Sequence, residues 1–174
     1  PEIRLLQQTL SSLYKAACRA QEDNCLSDFF LTIIDNSKEN RRLNIRKAVE
    51  ASWLGSLEIL YPEKNVGYGS GHNIAIQARC EELHLVINPD VMVDIEAIVN
   101  AIDYLEENAD VGLLTPYSQQ ANGEKEYLCK AYPSVLVLLL RGFAPQIIKK
   151  RFDKKLAQYE QRRFDMTANN NVAL

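Results

Sequence analysis

A chain of 174 residues, 47% hydrophobic and 25% charged, is long enough to bury a substantial core, since about 70% of the unfolded surface is lost at that size. Its composition excludes intrinsic disorder, and a formal net charge of −3 gives no global reason to expect nucleic acid as a partner. No apolar run reaches the ~20 residues that span a bilayer, and no basic-then-apolar leader opens the chain, so a cytoplasmic location is expected.

Residues 2–20 place Ile3, Leu6, Leu10, Leu13 and Ala17 at steps of three and four, one apolar stripe on a helix. An α/β chain that opens on a helix either starts its fold that way or has a first strand upstream of Pro1, and the second is the expectation here. Cys18, Cys25, Cys80 and Cys129 form no C-x-x-C pair and have no histidine at zinc spacing, so they are expected as small apolar residues in a reducing compartment. Phe29-Phe30-Leu31-Thr32-Ile33-Ile34 is aromatic, β-branched and continuous, the pattern of a central strand buried on both faces. It ends in Asp35-Asn36-Ser37, small polar residues that stabilise turns. Residues 39–52 then predict an amphipathic helix with Leu43, Ala48 and Trp53 as its apolar contacts.

A second strand over residues 57–61 leads into Asn65-Val66-Gly67-Tyr68-Gly69-Ser70-Gly71, a glycine-rich loop. A helix is expected over 72–82 with Ile74, Ala75 and Ala78 inward, then a third strand over 83–87 that delivers Asn88-Pro89-Asp90-Val91. Asp94 predicts an N-cap for a helix ending near Asn108, striped by Ile95, Ile98, Ile102 and Leu105. Val111-Gly112-Leu113-Leu114-Thr115 predicts a fourth strand, and Asn122-Gly123 a turn before a polar strand around Tyr127. Repeated alternation of strand and helix argues for a largely parallel sheet covered on both faces. From Pro133 the character changes: an apolar helix or strand over 135–140 precedes a basic segment of helical character containing Lys149, Lys150, Arg151, Lys154, Lys155, Arg162 and Arg163, and the tail from Thr167 is polar. One domain over 1–174 is expected, with a ligand-binding part over 1–132 and an apolar, basic helical segment over 133–174.

Three groups could carry chemistry. Parallel strands end together, so the loop after the second strand and Asp90 after the third would share the edge where open α/β sheets bind ligands. Asp35 could accept hydrogen bonds from a nucleobase imide or a ribose hydroxyl; equally, it could only cap the next turn. Gly67, Gly69 and Gly71 would let backbone N–H groups at a helix start approach an anion, although G-x-G-x-G alone suits a structural loop as well. It is not the G-x-G-x-x-G of a dinucleotide-binding oxidoreductase. Asn88-Pro89-Asp90 projects an amide and a carboxylate from a strand end, a set suited to Mg²⁺ or Mn²⁺ that also takes phosphate oxygens, or else an ordinary type I turn. His72 either faces that edge or caps its helix, while His84 sits inside an expected strand. The basic run from Lys149 is either a solvated helix face or a contact for an anionic membrane surface.

Taken together, Ile34-Asp35-Asn36-Ser37, Asn65-Val66-Gly67-Tyr68-Gly69-Ser70-Gly71-His72-Asn73, Leu85-Val86-Ile87-Asn88-Pro89-Asp90-Val91, Leu128-Cys129-Lys130-Ala131-Tyr132-Pro133-Ser134 and Arg141-Gly142-Phe143-Ala144-Pro145 resemble an inverting family 2 glycosyltransferase of the GT-A fold. The likeness is strongest to bacterial rhamnosyltransferase-like enzymes of surface polysaccharide synthesis. It implies an α/β, three-layer α/β/α nucleotide-diphospho-sugar transferase fold with a mostly parallel sheet, here without its first strand and its C-terminal acceptor part. By that resemblance the donor site, for a dTDP- or UDP-sugar, comprises Asp35, Asn36, Ser37, Asn65, Gly67, Tyr68, Gly69, His72, Asn73 and Asn88, with Asp90 as the ligand of Mg²⁺ or Mn²⁺. Asn88 stands where the family's D-x-D motif has its first acid, which leaves one full carboxylate for the metal. The resemblance further implies a saccharide or lipid-linked acceptor and a catalytic base beyond Leu174, while the basic run from Lys149 adds the expectation of peripheral contact with the inner membrane surface. The alternative function is a noncatalytic nucleotide-sugar-binding module.

Overall fold

The computed structural model of the protein describes residues 2–120, 122–126 and 131–162. The chain packs as two compact units, 1–111 and 112–174, so the division falls earlier than the change of composition near Pro133.

The first unit opens with helix α1, Ile3–Glu22. Leu6, Thr9, Leu10, Leu13, Ala16, Ala17 and Ala20 are buried at three- and four-residue steps, which is the expected stripe; Ile3 lies outside it and is exposed. The helix stops because Asn24 takes a left-handed φ of 61°, turning the chain so that the N–H groups of Cys25 and Leu26 both donate to the carbonyl of Ala20. Strand β1, Phe30–Ile34, pairs in parallel with β2, Ser56–Leu60, in the register Phe30↔Ser56 to Ile34↔Leu60. The crossover between them is helix α2, Glu39–Ser52, as parallel pairing requires.

Leu31, Ile33, Leu57 and Ile59 point to one face of this pair and pack on a core formed by Leu6, Leu10, Leu13, Ile45, Val49 and Trp53. Val49 is fully buried, and each such aliphatic side chain stabilises the fold by about 1.5–3 kcal/mol. Tyr14, Phe29 and Trp53 close the end of that core as three edge-to-face pairs, with centroids 5.8, 5.3 and 5.6 Å apart. The indole N–H of Trp53 donates to the carbonyl of Ser56 at 3.0 Å, so the ring fixes the entry to β2 as well as filling space. The opposite face carries helix α3, Tyr68–Ala78, with Gly71 against Ile34. Helix α4, Ala97–Glu107, buries Val99 and Ile102, and Arg19 ties it to α1 through Glu96 at 3.0 Å.

Several expectations need correction. Leu43 is 62% exposed, because the buried positions of α2 are Ile45, Ala48 and Val49 and residue 43 is out of phase with them. Asp94 precedes the helix it was expected to cap: its carboxylate accepts from the N–H of Glu96 in a turn ahead of Ala97. Ile95 is likewise outside the helix and exposed. Helix α3 starts at Tyr68 and ends at Ala78, earlier at both ends than 72–82, and Ala78 is exposed.

β1 is half-buried along its length and pairs on one edge only among the described residues, so it is not a central strand there. Residues 83–87 are not part of a sheet: Leu83, Leu85 and Val86 are exposed and only Ile87 packs on the core. A strand is defined by hydrogen bonds to a neighbour, and this run has none among the described residues. The unit is thus a mixed α/β structure with a small parallel two-stranded sheet.

Residues 111–115, expected as a strand, are irregular where the second unit begins. The strand lies slightly later: β3, Ser118–Gln119, pairs antiparallel with β4, Lys125–Glu126. The expected turn at Asn122-Gly123 does connect them, with Gly123 at φ 82° and the Asn122 carboxamide oxygen accepting from Glu124 N–H. The expected strand around Tyr127, the motif from Leu128 to Lys130, Arg163 and the tail from Thr167 lie outside the described residues. Helix α5, Val135–Phe143, resolves the helix-or-strand ambiguity, with the Ser134 hydroxyl accepting from Val137 N–H at its start. Helices α6, Gln146–Arg151, and α7, Asp153–Tyr159, follow. Val137, Leu140 and Leu156 form a small core closed by Ala144, Phe152 and Tyr159.

Candidate functional site

The carboxyl edge of the parallel pair brings together the first two of the three predicted groups. Asp35 directly follows β1, and its N–H still donates to the carbonyl of Leu60 at 2.9 Å, so it is held in register with the end of β2. The side chain is 95% buried, at 5% exposure. Oδ1 accepts from Ser37 N–H at 2.9 Å, which is the capping role. Oδ2 is buried without a hydrogen-bond partner among the described residues.

Asn36 fastens the glycine segment to this edge. Its Oδ1 accepts from Val66 N–H at 3.3 Å, and its Nδ2 lies 3.8 Å from where a Cβ on Gly71 would stand. Asn65 stabilises the same stretch by accepting from Gly67 N–H at 2.8 Å. Gly67 has φ 80° and ψ 178°, a region essentially restricted to glycine. That conformation lets α3 begin at the very next residue, so Tyr68, Gly69 and Ser70 form the first turn of a helix rather than a loop. Their N–H groups have no acceptor within the helix, an arrangement that in general suits an anion. No side chain caps it.

Tyr68 is 64% exposed and stands edge-to-face with His72, whose ring is 4.4 Å away. Asn73 is exposed and Ser37 half-buried. Arg42, which the sequence reading passed over, joins this edge: it lies 5.0 Å above the Tyr61 ring, donates to the Pro62 carbonyl at 3.4 Å, and has a buried Nε without a partner. The signal was available in Arg41-Arg42, one helical turn beyond Ser37.

Asn88 and Asp90 are exposed at a turn after 83–87, and no hydrogen bond or ion pair joins them to Asp35 or the glycine segment among the described residues. No cluster of three His, Cys, Asp or Glu side chains occurs among the described residues. Asp90 and the Asn88 amide would offer only a partial donor set to a hard divalent cation, which water and phosphate oxygens of a ligand would have to complete.

An open concavity of the first unit, ≈ 670 Å³, lies elsewhere, between α1, the end of α2 and residues 92–95. Its lining includes Gln7, Ser11, Tyr14, Ser52 and Met92 but no carboxylate and no predicted site residue. It offers room without convergent chemistry, and the Asp35 edge is the better candidate. Comparison with protein-family profiles, with curated proteins and with solved structures returns no match.

Proposed function

We propose that this chain binds a nucleotide-sugar donor at the Asp35 edge and belongs to an inverting, metal-assisted glycosyltransferase of GT-A fold. The carrying observation is Asp35 Oδ2, a buried carboxylate oxygen with no partner, beside a helix start whose N–H groups are uncapped. A buried acceptor left unsatisfied destabilises a protein unless a ligand completes it, and the imide N–H of uracil or thymine, or a ribose hydroxyl, is a donor of the right kind. The first turn of α3 would take the diphosphate, with Arg42 adding positive charge at the same edge. A divalent cation on Asp90, aided by the amide oxygen of Asn88, would supply further charge to the departing nucleoside diphosphate. Tyr68, exposed over this helix start, offers an aromatic face or hydroxyl to the sugar or base. dTDP-rhamnose and related UDP-sugars are the proposed donors, with a saccharide or lipid-linked acceptor.

The test is calorimetric titration of UDP and dTDP with and without Mn²⁺, followed by an assay for sugar transfer or donor hydrolysis. Metal-enhanced binding with turnover is expected. Binding without turnover would favour a noncatalytic nucleotide-sugar-binding module, and absence of nucleotide binding would overturn both readings. NAD and NADP are expected to leave the melting temperature unmoved.

A further inference from the structure

Helix α5 buries only Val137 and Leu140, with Ala144 half-buried beyond its end. At 100° per residue its other side carries Val135, Leu138, Leu139 and Phe143, which are 75%, 54%, 52% and 85% exposed. This face contains no charged side chain; Gly142 is the only other residue on it. Nothing among the described residues of its unit covers it. Its nine residues fall far short of the ~20 needed to cross a bilayer, and no helix among the described residues is long and apolar enough to do so.

The charges next to it have one sign. Residues 131–162 hold seven Lys and Arg against two carboxylates, Asp153 and Glu160. Both carboxylates are taken by Arg162, at 2.8 and 2.6 Å. Lys149, Lys150, Arg151, Lys154 and Lys155 then have no carboxylate within ion-pair distance among the described residues. Lys149 connects the two features directly, since its ammonium donates to the Arg141 carbonyl at the end of α5 at 3.2 Å.

We propose that the second unit docks on an anionic lipid bilayer, with the exposed face of α5 entering the headgroup boundary and the cations of α6 and α7 meeting the lipid phosphates. Apolar side chains and unpaired cations on one small unit are the two attractions that hold interfacial helices to membranes. Charge argues against a second copy of the chain, because joining two α5 faces would bring two uncompensated cationic clusters together. Three consecutive cations at 149, 150 and 151 diverge by about 100° each around α6, which suits a diffuse sheet of negative charge better than pairwise contacts on a protein. The inference does not depend on the donor site.

The whole chain is tested by cosedimentation with vesicles of phosphatidylcholine, with and without phosphatidylglycerol, over a salt series. Binding to the anionic vesicles is expected, weakening as salt rises. Lys154→Gln with Lys155→Gln should weaken it by roughly thirtyfold, at about fivefold per cation. Phe143→Ser should weaken it about tenfold or more through lost apolar burial. All these side chains are exposed, so circular dichroism should show unchanged folding. Absence of binding, equal binding to neutral vesicles, or loss in neither variant would overturn the proposal. So would a concentration-dependent dimer abolished by Phe143→Ser, which would assign the face to self-association.

Discussion

Replacing Asp35 by Asn separates a turn-capping role from a ligand-binding one. The amide is nearly isosteric, and its oxygen can keep the bond from Ser37 N–H, so capping survives. What changes is the second position, now a carboxylate oxygen buried without a partner. Leaving a buried polar group unsatisfied costs about 1–3 kcal/mol, more when it is charged, and the neutral amide lowers that penalty without abolishing it. The unliganded variant should therefore be more stable by about 1 kcal/mol, read as a rise of roughly 2–4 °C in melting temperature. Nucleotide binding should move the other way. A hydrogen bond to a charged acceptor contributes about 1.5–3 kcal/mol, so dTDP and UDP affinity should fall roughly 10- to 150-fold by calorimetry. Asp35→Ala provides the control, since it also removes the acceptor for Ser37 and should lose stability. If Asp35→Asn left both the melting temperature and the affinity unchanged, Asp35 would be a turn residue alone and the donor site would lose its foundation.

Trp53→Ala should lower stability by about 3–5 kcal/mol in urea titrations, since the ring packs on Tyr14 and Phe29 and anchors Ser56. Gly67→Ala should cost about 1–3 kcal/mol because of its φ and ψ, whereas Gly69→Ala, a helical position facing open space, should be neutral or stabilising by up to about 1 kcal/mol; thermal melts of the pair check both. Asp90→Ala should remove the Mn²⁺-dependent part of dTDP affinity and leave the metal-free affinity and melting temperature unchanged, as measured by parallel titrations. The Cys25 thiol is pushed up by burial and by the charge and hydrogen bonding of Asp103, 3.8 Å away, so less of it is thiolate at any given pH. Alkylation followed by mass spectrometry should find it slow near neutral pH, rising only in alkaline solution, and Asp103→Asn should shift that rise to lower pH.

Periodicity revealed α1 and α2 because a helix makes its own hydrogen bonds and displays its buried side in its spacing. Residues 39–52 were delimited correctly on that ground, although Leu43 shows that apolar character does not guarantee burial when the phase is wrong. β1 and β2 were legible because their partner is each other. The run at 83–87 has the composition of a strand but nothing to pair with among the described residues, and composition cannot report a neighbour. The glycine segment was legible as special and misread as a loop: Gly67 alone supplies the unusual backbone, after which the chain is already helical. For the site, Asp35 and Asn36 were found by their position at the end of a strand. Asn88 and Asp90 were expected on the same edge only because a third parallel strand was expected, and that reasoning fails with the strand.

The exposed run at 83–87 also bears on how the protein behaves at high concentration. Leu83, Leu85 and Val86, at 47%, 60% and 47% exposure, form an apolar run with strand-like composition and no sheet partner among the described residues, a stretch on which identical segments of other molecules could stack into fibrils. Glu81 and Glu82 precede it and Pro89 and Asp90 follow, so repulsion and a missing amide restrict stacking to a very short stretch. Neutralising those two glutamates would be expected to shorten the lag time of aggregation well before it altered any melting curve.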